Sequence, residues 1–394
     1  MSTDFVFTSE SVTEGHPDKL CDQISDAIVD HYLALDPGAR IVAECAVARG
    51  VAFIAARFAS PAQVDIPALA RQVIAQVGYS DGEFNARDCS ILTSLVEMPA
   101  TVRADQDETT LQDEDLERLV ARNQVTAFGF ACRQTPALMP LPIWLAHRLA
   151  RRLSRRRATG ALPYLTPDGT VQVGIEYRDH RPRRVHSLTL VVSQHQPDYP
   201  RPEALRTDLI EQVIRPVFRE EAIGLDEQTR IWVNPNGVRV GGGPASHSGM
   251  TGRKTANDTY GGYARQSESA LSGKDPLRVD RIAAYMARFA AKNVVAAGLA
   301  EACEVQLSYA IGLAHPVSLH LDTFGTGRVE EREVVRRLKA QFDFRVGGII
   351  RGFQLRKLSS HGPFYQRLAT FGQVGRTDLE LPWENTASAT ALQS

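Results

Sequence analysis

In "DFVFTSESV" apolar and polar positions alternate as on a half-buried strand. From Leu20 the period changes: Leu20, Ile24, Ala27, Ile28 and Leu35 recur at helical spacing, which puts a strand-to-helix turn at "GHPDK". The same grammar returns further on. Paired alternating runs at 41–58 ("IVAECAVARGVAFIAARF"), 171–195 and 303–325 each predict a β-hairpin. Each is preceded by a helical pattern (17–34, 140–158 and 279–300) and followed by another (64–77, 203–218 and 329–342). A short strand is then expected in "CSILTSL", "RIWVNP" and "IIRGFQL". The order helix, hairpin, helix, strand thus occurs three times, and the chain is read as α+β, with three similar units at 1–103, 116–232 and 233–385. The polar, acidic stretch 97–117 between the first two suits a mobile loop over a site, or a plain linker.

Composition narrows the class. Lys and Arg number 45 against 46 Asp and Glu, so no global field draws nucleic acid or an anionic membrane. Five cysteines without a CxxC pair argue against a disulfide scaffold and for reduced thiols. The opening "MSTDFVFTSES" has no basic region, and no run of eighteen apolar residues follows, so the cytoplasm is the expected location. The stretch "HRLARRLSRRRATG" (147–160) gathers six arginines near a helix end, where the helix dipole favours them. Without interleaved aromatics it reads as a solvated face rather than a nucleic-acid patch.

Two stretches offer chemistry. His16, Pro17, Asp18 and Lys19 stand at the start of the first helix. Proline is favoured there and free N–H groups form an anion site, so a carboxylate beside a cation and an imidazole suits a metal-bound polyphosphate; a capped helix with a solvated first turn is the plain alternative. The second stretch is 234–281, "NPNGVRVGGGPASHSGMTGRKTANDTYGGYARQSESALSGKDPLRVDR". Its glycines let the backbone approach a ligand, while Arg253, Lys254, Arg265, Lys274, Arg278 and Arg281 supply charge for several phosphates. "SGKDP" lacks the spacing of a Walker A loop. Asp258, Asp275 and Asp280 add carboxylates able to bind Mg2+ or orient the cations.

The strings "FTSESVTEGHPDKLCDQISDAIVD", "GMTGRKTANDTYGGYAR", "SGKDPLRVDRIAAYMARFAAKNVVAAGLAEACEVQLSYAIG" and "LPWE" resemble the methionine adenosyltransferase (S-adenosylmethionine synthetase) family, over essentially the whole chain. The resemblance implies three pseudo-repeated α+β domains and a homodimer with active sites between subunits, often a dimer of dimers. It implies attack of methionine sulfur on C5′ of ATP, then cleavage of the released tripolyphosphate to phosphate and pyrophosphate, with Mg2+, two per site, and K+. Carried over by position, His16 contacts the triphosphate near the bond that breaks, Asp18 and Asp280 hold Mg2+, and Glu44 serves the monovalent cation. Arg253, Lys254 and Lys274 match triphosphate cations, Lys254 and Lys274 with catalytic roles. Trp232 stands where an adenine-stacking Phe is usual, and Asp168 falls in the matching ATP-binding turn.

The departures are concentrated. The family's "GxGDQG" reads "VARNQV", so an aspartate becomes Asn123, and "GGGAFSGKD" reads "SESALSGKD". A phosphate-contacting lysine becomes Thr170. In the amino-acid pocket a Glu becomes Arg57, a Gln Met98, an Asp His247 and a Lys Arg278. Two of the lost carboxylates are those that hold the methionine ammonium. Besides methionine as acceptor, a less cationic or more anionic nucleophile, or a nucleotide-binding regulatory role, therefore stays open.

Overall fold

The structure is a computed structural model that describes residues 4 to 393. The alternating opening forms strand β1 (Phe5–Val12), and the periodic stretch after it helix α1 (Pro17–Leu35). The first hairpin is β2 (Arg40–Ala48) with β3 (Val51–Ala59), followed by α2 (Ile66–Val77) and β4 (Ser90–Glu97). After the short helix α3 (Asp113–Arg118) the pattern restarts with β5 (Val125–Cys132), α4 (Leu141–Ala158) and the long hairpin β6 (Leu165–Arg178) and β7 (Arg181–Gln194). Helices α5 (Pro202–Leu209) and α6 (Arg215–Phe218) flank one π-helical turn and lead to β8 (Arg230–Val233). The third restart comprises β9 (Gly249–Met250), α7 (Thr255–Asp258), α8 (Val279–Ala296), the hairpin β10 (Ala302–Tyr309) and β11 (Ser318–Asp322), α9 (Glu331–Gln341) and α10 (Val346–Phe353).

Strand pairing departs from three self-contained units. The strand that precedes each long helix joins the sheet of another unit: β1 pairs antiparallel with β6, β5 with β10, and β9 with β2. Each unit thus lends its leading strand to the next, the last to the first. The sheets run β4-β3-β2-β9, β8-β7-β6-β1 and β11-β10-β5. Two hydrophobic cores result. One, built on Leu145, Leu149, Val173, Ile175 and Leu188, belongs to the middle sheet; the other joins α1 and α8 with the remaining two. The exchange has a functional effect, because β9 carries the basic stretch 251–254 to the edge of the first sheet, beside the start of α1.

Two expectations are corrected. "IIRGFQL" is no strand: Val346, Ile349, Ile350 and Phe353 are all buried at spacings of three and four, one face of helix α10. The acidic stretch 97–117 is no free loop. Glu108 is buried and accepts from Arg356 Nε at 3.0 Å, Arg103 pairs with Asp36, and Leu111 and Leu116 are buried. All five cysteines are free and buried. Among the described residues no helix is long and apolar enough to cross a membrane.

Candidate active site

Helix α1 organises the site through one face. Asp18, Asp22, Asp26 and Asp30 recur every four residues, so their side chains stack above one another. Each accepts backbone N–H groups from a segment far along the chain. Asp18 accepts from Met250 at 3.0 Å, Asp22 from Gly252 at 2.8 Å, Asp26 from Gly273 at 2.8 Å, and Asp30 from Tyr365 and Gln366 at 3.0 and 2.8 Å. Hydrogen bonds to a carboxylate contribute about 1.5–3 kcal/mol each, so this row fixes the loops bearing Arg253, Lys254 and Lys274. The period of four in "HPDKLCDQISDAIVD" was the signal for it, and residue-type reading of His16 and Asp18 alone missed Asp22, Asp26 and Asp30. Lys19, fully buried, pairs with Asp22 at 2.9 Å and with Asp258. Burial pushes the Asp258 carboxyl up to about 7 against the pull of Lys19. The loops come close enough that glycine is required: a Cβ on Gly249 would lie 2.1 Å from the Pro17 carbonyl carbon, and Gly273 has φ +76 with Ala43 O 1.9 Å from where a Cβ would sit.

A first cluster forms at the N-terminus of α1. His16 is the N-cap, and its Nδ1 accepts from Asp18 N–H at 3.2 Å, which leaves the proton of the neutral ring on Nε2. Burial lowers the His16 pKa to about 4, with Lys254 and His247 pushing the same way and Asp168 and Asp18 opposing. Asp168 accepts from His247 Nε2 at 3.0 Å and from Gly243 N–H at 2.9 Å. Burial alone would raise its carboxyl, but these bonds hold it below the usual range. The His16 and His247 rings lie 5.1 Å apart; Arg253 stands 3.7 Å from Asp18, and Lys254 3.4 Å from Glu10. An acid limb of kcat/KM governed by His16 is accordingly expected near pH 4, not 6.5. Asp168→Asn, which removes a charge that favours the imidazolium, should move that limb lower still.

A second cluster lies toward the far end of the same sheet. Arg57 and Met98 line a cavity of about 150 Å3 together with Arg40, Arg122 and Arg278. Arg40 pairs with Asp275 at 3.2 Å and Arg278 with Asp280 at 3.5 Å, whereas among the described residues Arg57 has no carboxylate partner. Asn123 Nδ2 donates to Asp280 Oδ1 at 2.7 Å. An amide at 123 makes a hydrogen bond where a second carboxylate at that distance would repel. Asp280 Oδ2 is buried and accepts no hydrogen bond. Between the clusters, Lys274 bridges to Val42 and sits 3.6 Å from Glu44.

One chain therefore does not collect every expected site residue at one point. His16, Asp18, Asp168, His247, Arg253 and Lys254 form the first group; Arg57, Met98, Asn123, Arg278 and Asp280 the second. His247 belongs to the first although its expected role lies with the second. Asp18, Glu44 and Asp280 do not meet in one metal cluster among the described residues. Trp232 is exposed on β8, with no hydrogen bond or ring contact to either group among those residues. The cross-strand register shows what lies between. Met250, Ala46, Phe53 and Leu92 form one row across the sheet, Glu44, Ala55 and Ser94 the next, and Val42, Arg57 and Val96 the third. Met250 is 51% and Phe53 43% exposed, and Leu92 and Val96 are exposed as well. The two groups thus flank an uncovered apolar sheet face.

Three strand-exchanged α+β units thus bring the basic stretch 251–254 to the start of α1. Models of the S-adenosylmethionine synthetase N-terminal, central and C-terminal domains match residues 4–100, 118–238 and 241–385. The chain is 48% identical to an S-adenosylmethionine synthase of Trichodesmium erythraeum and 49% identical to one of Trichormus variabilis. In both cases the match covers 100% of this chain and 97% of the relative. An S-adenosylmethionine synthase of Gloeothece citriformis is 46% identical over the same shares. The chain belongs to the S-adenosylmethionine synthetase family.

Proposed function

We propose that the protein transfers the adenosyl group of ATP to the sulfur of methionine, giving S-adenosylmethionine and releasing phosphate and pyrophosphate. The observation that carries this reading is the neutral His16 held at the start of α1 beside Arg253 and Lys254. A sulfur lone pair forms the S–C5′ bond while the C5′–O bond breaks and its electron pair leaves on the triphosphate, which one water then hydrolyses to phosphate and pyrophosphate. Charge grows on that oxygen only as the bond breaks, so a preorganised Nε2–H from His16 and the cations Arg253, Lys254 and Lys274 act chiefly on the transition state. Asp168 and Trp232 are assigned to the nucleoside. The relatives' names favour methionine, and no comparison favours another nucleophile or a regulatory role.

The chain offers oxygen donors suited to Mg2+, which takes one or two carboxylates plus substrate phosphates: Asp18, and Asp280, whose buried Oδ2 accepts no hydrogen bond and faces Arg278 at 3.5 Å. When bound, Mg2+ would neutralise charge on the triphosphate. Glu44, exposed beside Lys274, is the carboxylate assigned to K+. Arg57, Met98, Asn123, His247 and Arg278 are assigned to the amino acid, with the arginines suited to its carboxylate. The ammonium is poorly served, so Arg57→Glu is expected to lower KM for methionine about tenfold or more, at little cost in ATP binding.

The exposed sheet face is assigned to a second copy of the chain. A twofold axis across the strands at the Glu44–Ala55–Ser94 row lays the His16 end of one chain over the Arg57 end of its partner, uniting the groups that one chain keeps apart. Phe53→Asp should then yield monomers in sedimentation and lose activity in parallel. Product analysis tests the reaction itself: with ATP, Mg2+, K+ and methionine, mass spectrometry should show S-adenosylmethionine and 31P NMR phosphate plus pyrophosphate. ATP left intact would overturn the assignment.

A further inference from the structure

The arginine-rich stretch of α4, expected as a solvated face, walls a cavity of about 390 Å3 that shares no lining residue with either group of the proposed site. Arg148, Arg151, Arg152 and Arg155 follow at spacings of three and four, so they share one helix face over about 10 Å. Arg376 faces them from the segment after α10, and Trp144 and Phe371 add ring surface, with the Arg148 and Arg151 guanidiniums 5.8 and 5.6 Å from their centroids.

Positive charge here exceeds the negative charge available to it. Arg148 pairs with Glu220 and Glu221, while Arg151 and Arg376 share Asp378 at 2.9 and 2.8 Å. Arg152 donates to the Gln212 carbonyl at 2.7 Å but pairs with no carboxylate, and Arg155 has no side-chain partner among the described residues. Polar atoms are left over as well: among the described residues Arg151 Nε is buried with no acceptor, and His147 Nε2 is buried with no partner. Burial and the neighbouring Arg376 lower the Arg151 pKa to about 10, the direction expected where an anion is wanting.

We propose that this cavity binds a condensed phosphate, free or carried on a nucleotide, distinct from the substrate at the start of α1. A single phosphate spans one adjacent pair of arginines. The row is longer than that, and two linked phosphoryl groups match it. The rings of Trp144 and Phe371 suit a base if the anion is nucleotide-borne. A concave, ring-walled cavity fits this better than an extended nucleic acid, whose backbone needs an open basic groove. The inference does not rest on the proposed reaction.

The test uses the full-length protein with pyrophosphate, ADP and a single-stranded RNA oligonucleotide as probes in titration calorimetry. Arg152→Gln with Arg155→Gln removes two cations that hold no carboxylate. It is expected to weaken one class of pyrophosphate site about tenfold or more and to leave turnover unchanged. Arg253→Gln with Lys254→Gln should spare that class and weaken the other. Tighter binding of ADP than of pyrophosphate at the α4 class would identify a nucleotide-borne ligand, and the reverse a free one. Unchanged pyrophosphate and ADP binding in Arg152→Gln/Arg155→Gln, or a loss confined to RNA, would overturn the proposal.

Discussion

Replacing His16 by alanine is expected to lower kcat by about two to three orders of magnitude, while the dissociation constant for ATP with Mg2+ changes by less than about threefold. The size follows from what one preorganised donor to a developing oxyanion contributes, about 2.7–4 kcal/mol in comparable sites. The split between kcat and binding follows from where the imidazole sits. It is neutral, so it adds little attraction for ground-state triphosphate, and its Nδ1 is already engaged by Asp18 N–H. Removing the ring leaves Arg253, Lys254 and the row of aspartates under their loop in place. Rapid-quench turnover combined with calorimetric titration of a non-hydrolysable ATP checks both halves. A parallel loss of binding and kcat would assign His16 to ground-state binding instead.

Lys19→Met is expected to destabilise the protein by about 3–5 kcal/mol, the usual consequence of leaving a buried ion pair without one partner. Asp22 and Asp258 would face each other's charge with no cation between them, and Asp258 already has a buried oxygen that accepts no hydrogen bond. The deficit should depend on pH in a defined direction. The folded-state carboxyl of Asp258 is raised, to about 7 with Lys19 present and further without it. The folded protein therefore binds a proton that the unfolded chain does not, and stability gains as pH falls. The gap between Lys19→Met and the unaltered protein should narrow from pH 8 to pH 5 in denaturant titrations. A gap independent of pH would mean that the triad contributes packing rather than charge.

Much of this architecture was legible in the sequence because each element reports its own period. The helical face of α1 and the hairpin 41–58 fall within a few residues of the observed elements, and the expected hairpin 171–195 omits only the start of β6, 165–170. The residues 346, 349, 350 and 353 carried a legible helical spacing too, and the β-rich composition of "IIRGFQL" hid it. What periodicity cannot carry is partnership. That β9 pairs with β2, two hundred residues away, depends on backbone hydrogen bonds that leave no mark on residue type. The site shows the same division. His16, Asp18, Arg253 and Lys254 were identified by residue type and found together, whereas the separation of Arg57, Met98 and Arg278 from His247 follows from the sheet register and shows only in three dimensions. The cavity beside the arginines at 148–155 was not legible because a helical wheel shows one face and not the Arg376 segment opposite it.

We place adenosyl transfer at sites built from the His16 end of one chain and the Asp280 end of another. This placement is tested most directly by mixing two inactive variants, His16→Ala and Asp280→Ala, under conditions that exchange subunits, and measuring S-adenosylmethionine formation. Half of randomly paired dimers are mixed, and each mixed dimer keeps one intact site of two, so the mixture should recover about one quarter of the unaltered activity. A mixture as inactive as its components, with mixed dimers demonstrated by native mass spectrometry, would contradict the account and place the whole site within one chain.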